Sequence, residues 1–587
     1  MSSKEGGQKT ALVVGAGVGG IAIAARLSKA GFRVTVLEKN DFTGGRCSLI
    51  HHAGHRFDQG PSLLLLPKLF EETFYDLGTS LSAEGVQLLK CEPNYNVWFA
   101  DGERIQLSSD TAVMKREIEK VEGKDGFERY LSWLAEAHRH YEISVREVLH
   151  KNFPSIFNLL RPSFLMNVFQ LHPFESIYSR ASKYFFTDRL RRLFSFSTMY
   201  MGMSPFDAPG TYSLLQYTEL AEGIWYPIGG FHAVIAALEK VCQRHNVQLR
   251  LSTPVSSLIT SPDGKTVEGV VTSSGEKLTA DITIINADLV WSYNNLFPAK
   301  STLVATQSKA SSLTKRAGSC SSISFYWSLS QKIPELQTHN IFLADEYRES
   351  FDAIFDRQNI PDEPSFYVNV PSRIDPTAAP EGKDSIVVLV PVGHLLNSSS
   401  SSSNGKGLPE ELGWASLVEQ VRASVIKTIE ARTSCASLTP LITNEIINSP
   451  LDWESKFNLD KGSILGLSHS FFNVLAFRPK TKAKERNLYF VGARVPIVLA
   501  GAKITSEQIL NDLGMSIPWA RGNGVINQKK EKKALDMVQT DYTLLSDLAI
   551  WVLAFIVLAI TVAYVNTGLI VRWNWDEKTG WGVGKFE

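Results

Sequence analysis

The chain has 587 residues, of which 44% are hydrophobic and 20% are charged, and its 60 Lys and Arg residues balance 60 Asp and Glu residues. This length exceeds the roughly 100–200 residues of one domain, so at least two packed domains are expected. The balanced charge offers no basic surface for a polyanion and argues against nucleic-acid binding. The 5 cysteines are scattered without metal-ligand spacing, which predicts reduced thiols in a cytosol-facing protein.

The first predicted elements are a strand at residues 11–14, a helix at residues 21–30 and a strand at residues 33–38. Together they make one βαβ unit with a parallel strand pair. Between the first strand and the helix the chain has the spacing G-x-G-x-x-G, at Gly15, Gly17 and Gly20. This context, with a strand before the glycines and a helix after them, is typical of a dinucleotide-binding motif.

Each glycine of this motif has a physical role. Gly15 permits a tight turn, Gly17 lets a pyrophosphate approach the backbone, and Gly20 lets the helix pack on the strand. The helix N-terminus then meets the phosphates with free N–H groups and the positive end of its dipole. Glu38, at the end of the second strand, is placed to accept hydrogen bonds from ribose hydroxyls, and an acid there disfavours NADP. The motif alone does not separate FAD from NAD.

A second glycine pair follows at Gly44 and Gly45, with Arg46 directly after it and the segment Asp58-Gln59-Gly60-Pro61-Ser62 soon behind. The pair offers backbone N–H donors and Arg46 offers a cation for a diphosphate, which favours FAD over NAD. An ordinary turn with a surface arginine is the alternative interpretation.

The remaining pattern predicts a discontinuous nucleotide-binding domain. A helical, aromatic-rich region is expected from about residue 112 to about residue 217, and later elements alternate strands with one more helix. The later predicted strands are at 247–251, 269–272, 282–286 and 487–492, and the later predicted helix is at 504–513. We therefore predict an α/β fold in which a Rossmann-type domain is interrupted by an inserted α+β domain.

An uncharged apolar run lies near the end of the chain, from Leu548 to Val565. The chain carries no charged residue between this run and Arg572. It is long enough for a helix of about 20 residues that crosses a hydrocarbon core of about 30 Å. Lysines between residues 529 and 533 precede it, which places the large N-terminal part on the cytosolic side. We predict a single-pass C-terminal membrane anchor, in an endomembrane such as the endoplasmic reticulum; a buried core helix is the alternative.

Several motifs occur together in one order: Gly15-Ala16-Gly17, Glu38, Gly44-Gly45-Arg46, Asp58-Gln59-Gly60-Pro61-Ser62, Tyr226-Pro227-Ile228-Gly229-Gly230, Asn286-Ala287-Asp288 and the run from Asn487 to Ala493. In this set and order the chain resembles phytoene desaturases of the bacterial and fungal type, which belong to a wider flavoprotein group that includes amine oxidases. The resemblance extends from Leu12 to about Leu513, and the apolar tail is similar to that of fungal members.

The resemblance implies FAD as cofactor, with NAD less favoured, and stepwise desaturation of phytoene towards lycopene by hydride transfer to the flavin. The implied cofactor-binding residues are Gly15, Gly17, Gly20, Glu38, Gly44, Gly45, Arg46, Asp58, Gly60, Pro61, Gly492 and Ala493. The sequence shows no nucleophile or metal constellation, and no catalytic residue is predicted. Another flavoenzyme, such as a carotenoid isomerase or an amine oxidase, and a non-enzymatic prenyl carrier are the alternatives.

With this resemblance, the predicted domains are as follows: an FAD-binding domain in three parts, 1–105, 225–295 and 455–520; a helical substrate and membrane-contact region, 106–224; a substrate domain, 296–454; a basic linker, 521–543; a transmembrane helix, 544–571; and a short tail, 572–587. Expected partners are the apolar substrate phytoene, membrane lipid, and a second copy or other carotenoid enzymes.

Residues 153–174 are crowded with aromatic and aliphatic side chains and contain three prolines, so they form pieces too short to span a bilayer. They are expected to lie in the membrane interface and receive the substrate; an ordinary aromatic core is the alternative. The chain also departs from the family pattern after Ala493, where a loop with Thr-His-Pro-Gly is absent and Arg494 leads directly to Val495.

Overall fold

The computed structural model describes residues 7–149, 151, 166–298, 304–395, 413–470, 473–474, 479–492, 497–519, 573–576 and 580–583. The chain divides into two units, residues 1–520 and residues 521–587. In the second unit the described residues are an antiparallel strand pair, Trp573–Asp576 and Gly580–Val583. The predicted linker and transmembrane helix, 521–571, lie outside the described residues. Within the described ranges, no helix has the length and apolar character needed to span a bilayer.

A five-stranded parallel sheet, called here the nucleotide sheet, carries the glycine-rich motif. Its strands, in spatial order, are Leu488–Phe490, Ile282–Ile285, Thr10–Val14, Arg33–Leu37 and Gln248–Arg250. The predicted strands at 11–14, 33–38, 247–251, 282–286 and 487–492 are therefore confirmed within one or two residues. They come from three separate stretches of chain, so this domain is discontinuous, as predicted.

Both faces of the nucleotide sheet are buried, because alternate residues of one strand enter different hydrophobic clusters. Ala11 and Val13 pack in one cluster with the helix Val18–Lys29, whereas Leu12 and Val14 pack in another on the opposite face. Strands buried on both faces are continuously apolar, which explains why this run shows no alternation in the sequence.

A seven-stranded sheet forms the second layer of the molecule. Its strands, in spatial order, are Ile442–Asn448, Ser321–Leu329, Ser385–Val392, Phe366–Asn369, His339–Phe342, Tyr95–Trp98 and Arg104–Leu107. Neighbours are antiparallel except for the parallel pair of His339–Phe342 with Tyr95–Trp98. The strand Tyr95–Trp98 lies within the range 1–105 and the strand Arg104–Leu107 crosses its end, so the seven-stranded sheet begins within the first predicted nucleotide-binding part.

Smaller sheets and helices complete the described part. The smaller sheets are Val255–Thr260 with Val267–Thr272 and Lys277–Thr279, Leu49–His52 with His55–Asp58, and Leu88–Cys91 with Ile224–Pro227. The α-helices are Val18–Lys29, Pro67–Asp76, Thr111–Ser144, Ile177–Ala181, Asp188–Leu193, Leu214–Tyr217, His232–Arg244, Leu289–Asn295, Val304–Thr314, Tyr347–Phe355, Trp414–Thr433, Pro450–Phe457 and Ile497–Asp512. The longest of them starts after Asp110, whose side chain accepts hydrogen bonds from the backbone N–H groups of Ala112 and Val113 and so caps the helix.

A buried ion cluster joins three helices behind the nucleotide sheet. The Asp76 carboxylate lies 2.8 Å from the Arg26 guanidinium and 2.8 Å from the Lys503 ammonium. Lys503 also reaches Glu72, whose side chain is 34% exposed. Since Arg26 and Asp76 are buried, each depends on the other for compensation of its charge.

We expect Asp76→Ala to destabilise the protein by about 3–5 kcal/mol, because it leaves the buried Arg26 guanidinium without its carboxylate. Thermal unfolding followed by circular dichroism measures this loss. Glu72→Ala is the matched control: it removes a part-exposed partner of the same lysine, and a loss within about 1 kcal/mol is expected. Equal destabilisation by both variants would contradict the argument.

Candidate functional site

The glycine-rich turn is held in a conformation that only glycine tolerates at two of its positions. Gly15 has φ of 99°, in the left-handed region, and its N–H donates to the carbonyl of Leu37 at 2.7 Å. A Cβ added to Gly20 would lie 2.0 Å from the carbonyl oxygen of Gly15. The helix Val18–Lys29 therefore starts directly against the end of the first strand, which directs its N-terminus at the turn.

The turn is closed from the neighbouring strand by Asn286, which the sequence motif contains but the predicted site residues do not. With its carboxamide oriented to satisfy its neighbours, Asn286 donates to the carbonyl of Val491 at 3.1 Å and accepts from the N–H groups of Gly17 at 3.3 Å and Gly20 at 3.1 Å. A Cβ added to Gly17 would lie 2.8 Å from this carboxamide. Gly17 is thus required by protein packing as well as by the approach of a pyrophosphate.

Glu38 and the second glycine pair meet the same turn. The Glu38 carboxylate accepts from the N–H of Ala16 at 2.7 Å and from that of Asn40 at 3.0 Å. The N–H of Gly44 donates to the carbonyl of Ala16 at 2.9 Å, and Gly44 forms a β-bridge with Gly17. The structure therefore brings the two glycine-rich segments, separated in sequence, into backbone contact.

Arg46 provides a cation directly after the second glycine pair. Its side chain is half-buried, and burial lowers the pKa of its guanidinium. Its neighbour Asp288 caps the helix Leu289–Asn295 by accepting from the N–H of Trp291 at 2.9 Å, and burial raises the pKa of Asp288 to about 6. An arginine keeps its charge in such surroundings, which suits an anionic group of a cofactor.

The segment after Asp58 connects the residues around Arg46 to the seven-stranded sheet. Asp58 is buried and accepts from the Tyr226 hydroxyl at 2.6 Å and from the N–H of Phe231 at 2.6 Å, although burial still raises its pKa. A Cβ added to Gly60 would lie 2.4 Å from the carbonyl oxygen of Arg46, so the segment packs directly on that residue. Pro61, directly after it, is half-buried.

The structure gives no specific role to the last two predicted site residues. Gly492 is exposed, and an added Cβ would meet no atom within 4 Å, so its geometry shows no need for glycine. Ala493 and the shortened turn that follows it lie outside the described residues.

One three-residue group among the described residues has the geometry of a metal site: Glu136, His140 and His172, with ligand atoms within 4.8 Å of one another. The Arg180 guanidinium already donates to both oxygens of Glu136. His140 donates its Nε2 hydrogen to the carbonyl of Gln170 at 2.7 Å. Because the arginine supplies the positive charge and one imidazole nitrogen is engaged, we interpret this group as structural.

Residues 18–402 match the model of the flavin-containing amine oxidoreductase family. The chain belongs to this family. It is 62% identical over 532 residues to a phytoene desaturase of Fusarium fujikuroi, with 88% of this chain and 92% of the relative covered. A phytoene desaturase of Neurospora crassa is 60% identical, with 90% and 89% covered, and one of Phycomyces blakesleeanus is 48% identical, with 87% and 86% covered.

The fold is also that of solved structures. An oxidoreductase from Methanosarcina mazei has a TM-score of 0.56 at 16% identity, and it covers 85% of this chain and 100% of its own. Cyclohexylamine oxidase from Brevibacterium oxydans has a TM-score of 0.53 at 12% identity, with 86% and 100% covered. At these sequence identities the similarity shows the fold alone.

The family and the relatives together establish that the chain is an FAD-dependent oxidoreductase, and the prediction of FAD rather than NAD is confirmed.

The residues present fit this cofactor. Gly17 and Gly44, which have no side chains, lie against each other at the turn, and the helix Val18–Lys29 begins there. The Glu38 carboxylate accepts three hydrogen bonds from Ala16 and Asn40, which leaves about one acceptor position for a ribose hydroxyl. Arg46 supplies the cation. Bound FAD supplies the acceptor for a hydride, which no protein side chain offers.

We expect Gly17→Val to reduce the affinity for FAD at least about tenfold, because the new side chain meets the Asn286 carboxamide and blocks the approach of the pyrophosphate. The flavin absorbance of the purified protein, relative to protein absorbance, measures this. Gly501→Ala is the control, since an added Cβ there meets nothing within 4 Å. Undiminished flavin in Gly17→Val would show that the cofactor binds elsewhere.

Proposed function

We propose that this chain is a phytoene desaturase that introduces double bonds stepwise into phytoene on the way to lycopene. The observation that carries the proposal is 48–62% identity to fungal phytoene desaturases over most of both chains. The candidate flavin site supports it, because removal of hydrogens from adjacent carbons needs a hydride acceptor.

The interior beside the site suits an uncharged polyene. A buried cluster between the seven-stranded sheet and the helical region is rich in aromatic side chains: Tyr95, Tyr130, Trp133, Phe185, Phe194, Phe196 and Tyr226. These side chains are buried against one another, so this part of the interior is apolar and excludes water. An uncharged substrate such as a forty-carbon hydrocarbon is compatible with an interior of this kind.

The alternatives fit these residues less well. A cationic amine would want a free carboxylate beside the aromatic side chains, but Glu136 is already paired with Arg180, and burial raises the pKa of Glu219 to about 8. Glu219 is therefore mostly neutral at pH 7. A prenyl carrier that binds no flavin would have no use for the backbone contact of Gly17 with Gly44 or for a cation directly after it at Arg46.

Expression in cells that accumulate phytoene tests the proposal. We expect coloured carotenoids with longer conjugated systems, separated by chromatography and identified by their absorption spectra, and none from the Gly17→Val variant. Conversion of a cis carotenoid without a change in hydrogen content would instead support an isomerase. Flavin-loaded protein that leaves phytoene unchanged would contradict the desaturase.

We further propose that the protein acts at a membrane, with its catalytic part on the cytosolic side. Met166, Phe169 and Phe174 are 62%, 52% and 71% exposed, and they belong to the predicted interfacial segment 153–174. Lys183, nearby in the sequence, has a half-exposed side chain that pairs with Glu175 at 2.6 Å. An exposed apolar surface is typical of contact with an interface, and phytoene itself dissolves in the bilayer. The predicted anchor at 544–571 supplies the second attachment.

The chain truncated after Trp519 should still bind phospholipid vesicles in part. The double variant Phe169→Ser with Phe174→Ser of this truncated chain should not bind them, because interfacial affinity scales with the apolar area that enters the bilayer. Co-sedimentation with phosphatidylcholine vesicles, with and without phosphatidylserine, measures this. Tyr75→Ser, which removes an aromatic residue of 60% exposure on a different helix, is the control and should leave binding unchanged. A truncated chain that binds no vesicles would confine membrane attachment to the C-terminal segment.

A further inference from the structure

A row of exposed cations lies at one edge of the nucleotide sheet. Residues 479–486 run beside the edge strand Leu488–Phe490, and the N–H of Ala483 donates to the carbonyl of Leu488 at 3.0 Å. Successive side chains of an extended segment point to opposite sides. One side of this segment carries an exposed cation at every second position, and the residues between them are half-buried or buried. The exposed cations are Lys480, Lys482, Lys484 and Arg486.

Two cations of this row have partners within the protein. The Lys482 ammonium lies 2.8 Å from the Asp512 carboxylate, and Arg486 Nε donates to the Thr266 hydroxyl at 3.1 Å. Within the described ranges, no carboxylate oxygen lies within 4.0 Å of the ammonium groups of Lys480 and Lys484. The positive charges of these two lysines are therefore not compensated by an ion pair with another described residue.

Two further cations approach this row from another part of the chain. Lys309 lies on the helix Val304–Thr314, and Arg316 follows the end of that helix. Burial, together with the neighbouring charges of Arg316, Lys484 and Lys480, lowers the pKa of Lys309. The four cations are thus close enough to repel one another. We call them the basic cluster: Lys309, Arg316, Lys480 and Lys484.

The composition of the basic cluster points to an anionic partner. Lysines on an edge segment also keep other strands from pairing with it, but that role needs no cation from a separate helix. Cations that repel one another in the free protein attract anions to the same place. The balanced charge of the whole chain conceals this local concentration of positive charge.

A short series of hydrogen bonds joins the basic cluster to the exposed apolar surface of Met166, Phe169 and Phe174. Ala317 directly follows Arg316, and Leu171 ends the turn that begins at Phe169. The bonds between them are Ser468 N–H to the Ala317 carbonyl at 2.9 Å, the Tyr212 hydroxyl to the His469 carbonyl at 2.6 Å, and the Thr211 hydroxyl to the Leu171 carbonyl. The basic cluster and the apolar surface therefore lie on connected parts of the same unit.

An anionic phospholipid bilayer is the partner that satisfies both features. Its headgroups carry the negative charge that the cluster attracts, and its hydrocarbon accepts exposed phenylalanine side chains such as Phe169 and Phe174. A nucleic acid or an acidic polypeptide would compensate the cations but would leave these side chains in water. Clusters of about four to eight lysines and arginines are typical of proteins that bind phosphatidylserine or phosphoinositides.

We propose that the basic cluster binds the anionic headgroups of the same bilayer that Phe169 and Phe174 enter; the inference rests on the membrane contact proposed above. An apolar contact alone holds the protein at an interface without selecting the lipid. Cations beside it add a preference for a negatively charged leaflet, which the cytosolic leaflet is. Two separate attachments also fix how the unit is oriented on the membrane.

Acetylation of lysines in the full-length holoenzyme tests this contact directly. The protein is mixed with phosphatidylcholine vesicles, with and without phosphatidylserine, and the rate of acetylation at each lysine is measured by mass spectrometry. We expect Lys480 and Lys484 to react at least about fivefold more slowly when phosphatidylserine is present. Lys115 and Lys120 are the controls: their side chains are 54% and 60% exposed on the helix Thr111–Ser144, and their rates should not change.

The double variant Lys480→Gln with Lys484→Gln, in the full-length chain, tests the energetic contribution. We expect its preference for phosphatidylserine vesicles, measured as a ratio of partition constants in co-sedimentation, to fall at least about tenfold, because each lysine beside an anionic leaflet raises the affinity about fivefold. At about 1 M salt, where the Debye length is about 3 Å, the wild-type preference should disappear.

Lys115→Gln with Lys120→Gln is the matched control for this variant, because it removes the same number of charges from a different helix. It should retain the preference for phosphatidylserine. Flavin content equal to that of the wild type shows that both double variants are folded.

The outcomes separate the two proposals. A wild-type protein that binds neither kind of vesicle would overturn the proposed membrane contact and this inference with it. Equal binding to both kinds of vesicle, or acetylation of Lys480 and Lys484 that phosphatidylserine does not slow, would overturn the inference alone. Protection of these lysines by a duplex DNA oligonucleotide, but not by phosphatidylserine vesicles, would show a different polyanion as the partner and would also overturn it.

Discussion

The close approach of two backbone segments at Gly15 and Gly20 is the constraint on which the rest of the site depends. With no room for a Cβ between the Gly20 position and the Gly15 carbonyl, the first helix begins immediately beyond the first strand. That short connection directs the helix N-terminus and leaves space for a phosphate. Asn286 fixes the turn from the next strand, so the geometry belongs to the assembled sheet and not to the loop alone.

Contacts lead from this turn to Arg46 and from there to the seven-stranded sheet. Gly44 donates to the carbonyl of Ala16 in the turn, which brings the segment with Arg46 next to it, and Gly60 packs against Arg46. The hydrogen bond of Ser62 with Tyr367 then reaches the seven-stranded sheet. The segment that would hold a cofactor is thereby connected to the seven-stranded sheet as well as to the nucleotide sheet, and binding sites between such elements are common in α/β folds.

The chemistry of the interior depends on its aromatic side chains and on whether each buried acid has an arginine partner. Aromatic side chains exclude water and give an apolar substrate its contact area, so a carboxyl group placed there loses hydration. Where an arginine is supplied, as for Glu136, burial is compensated and the pKa of the acid falls to about 2. Where none is supplied, as for Glu219, the acid holds its proton up to about pH 8. One fold thus contains a structural acid and a titratable one, and their partners make the difference.

The sequence by itself determined the strand, turn and helix around Gly15–Gly20, because glycine spacing and continuous apolar runs act locally. It also indicated the cofactor through Glu38 and Arg46, since those residues follow predicted elements at short separations. Only the tertiary structure decided that Asn286 closes the turn, that Gly60 lies against Arg46, and that Tyr95 and Arg104 begin the seven-stranded sheet. It alone set the contrast between Glu136 and Glu219, because whether a buried acid has a cation depends on residues that meet only when the chain has folded.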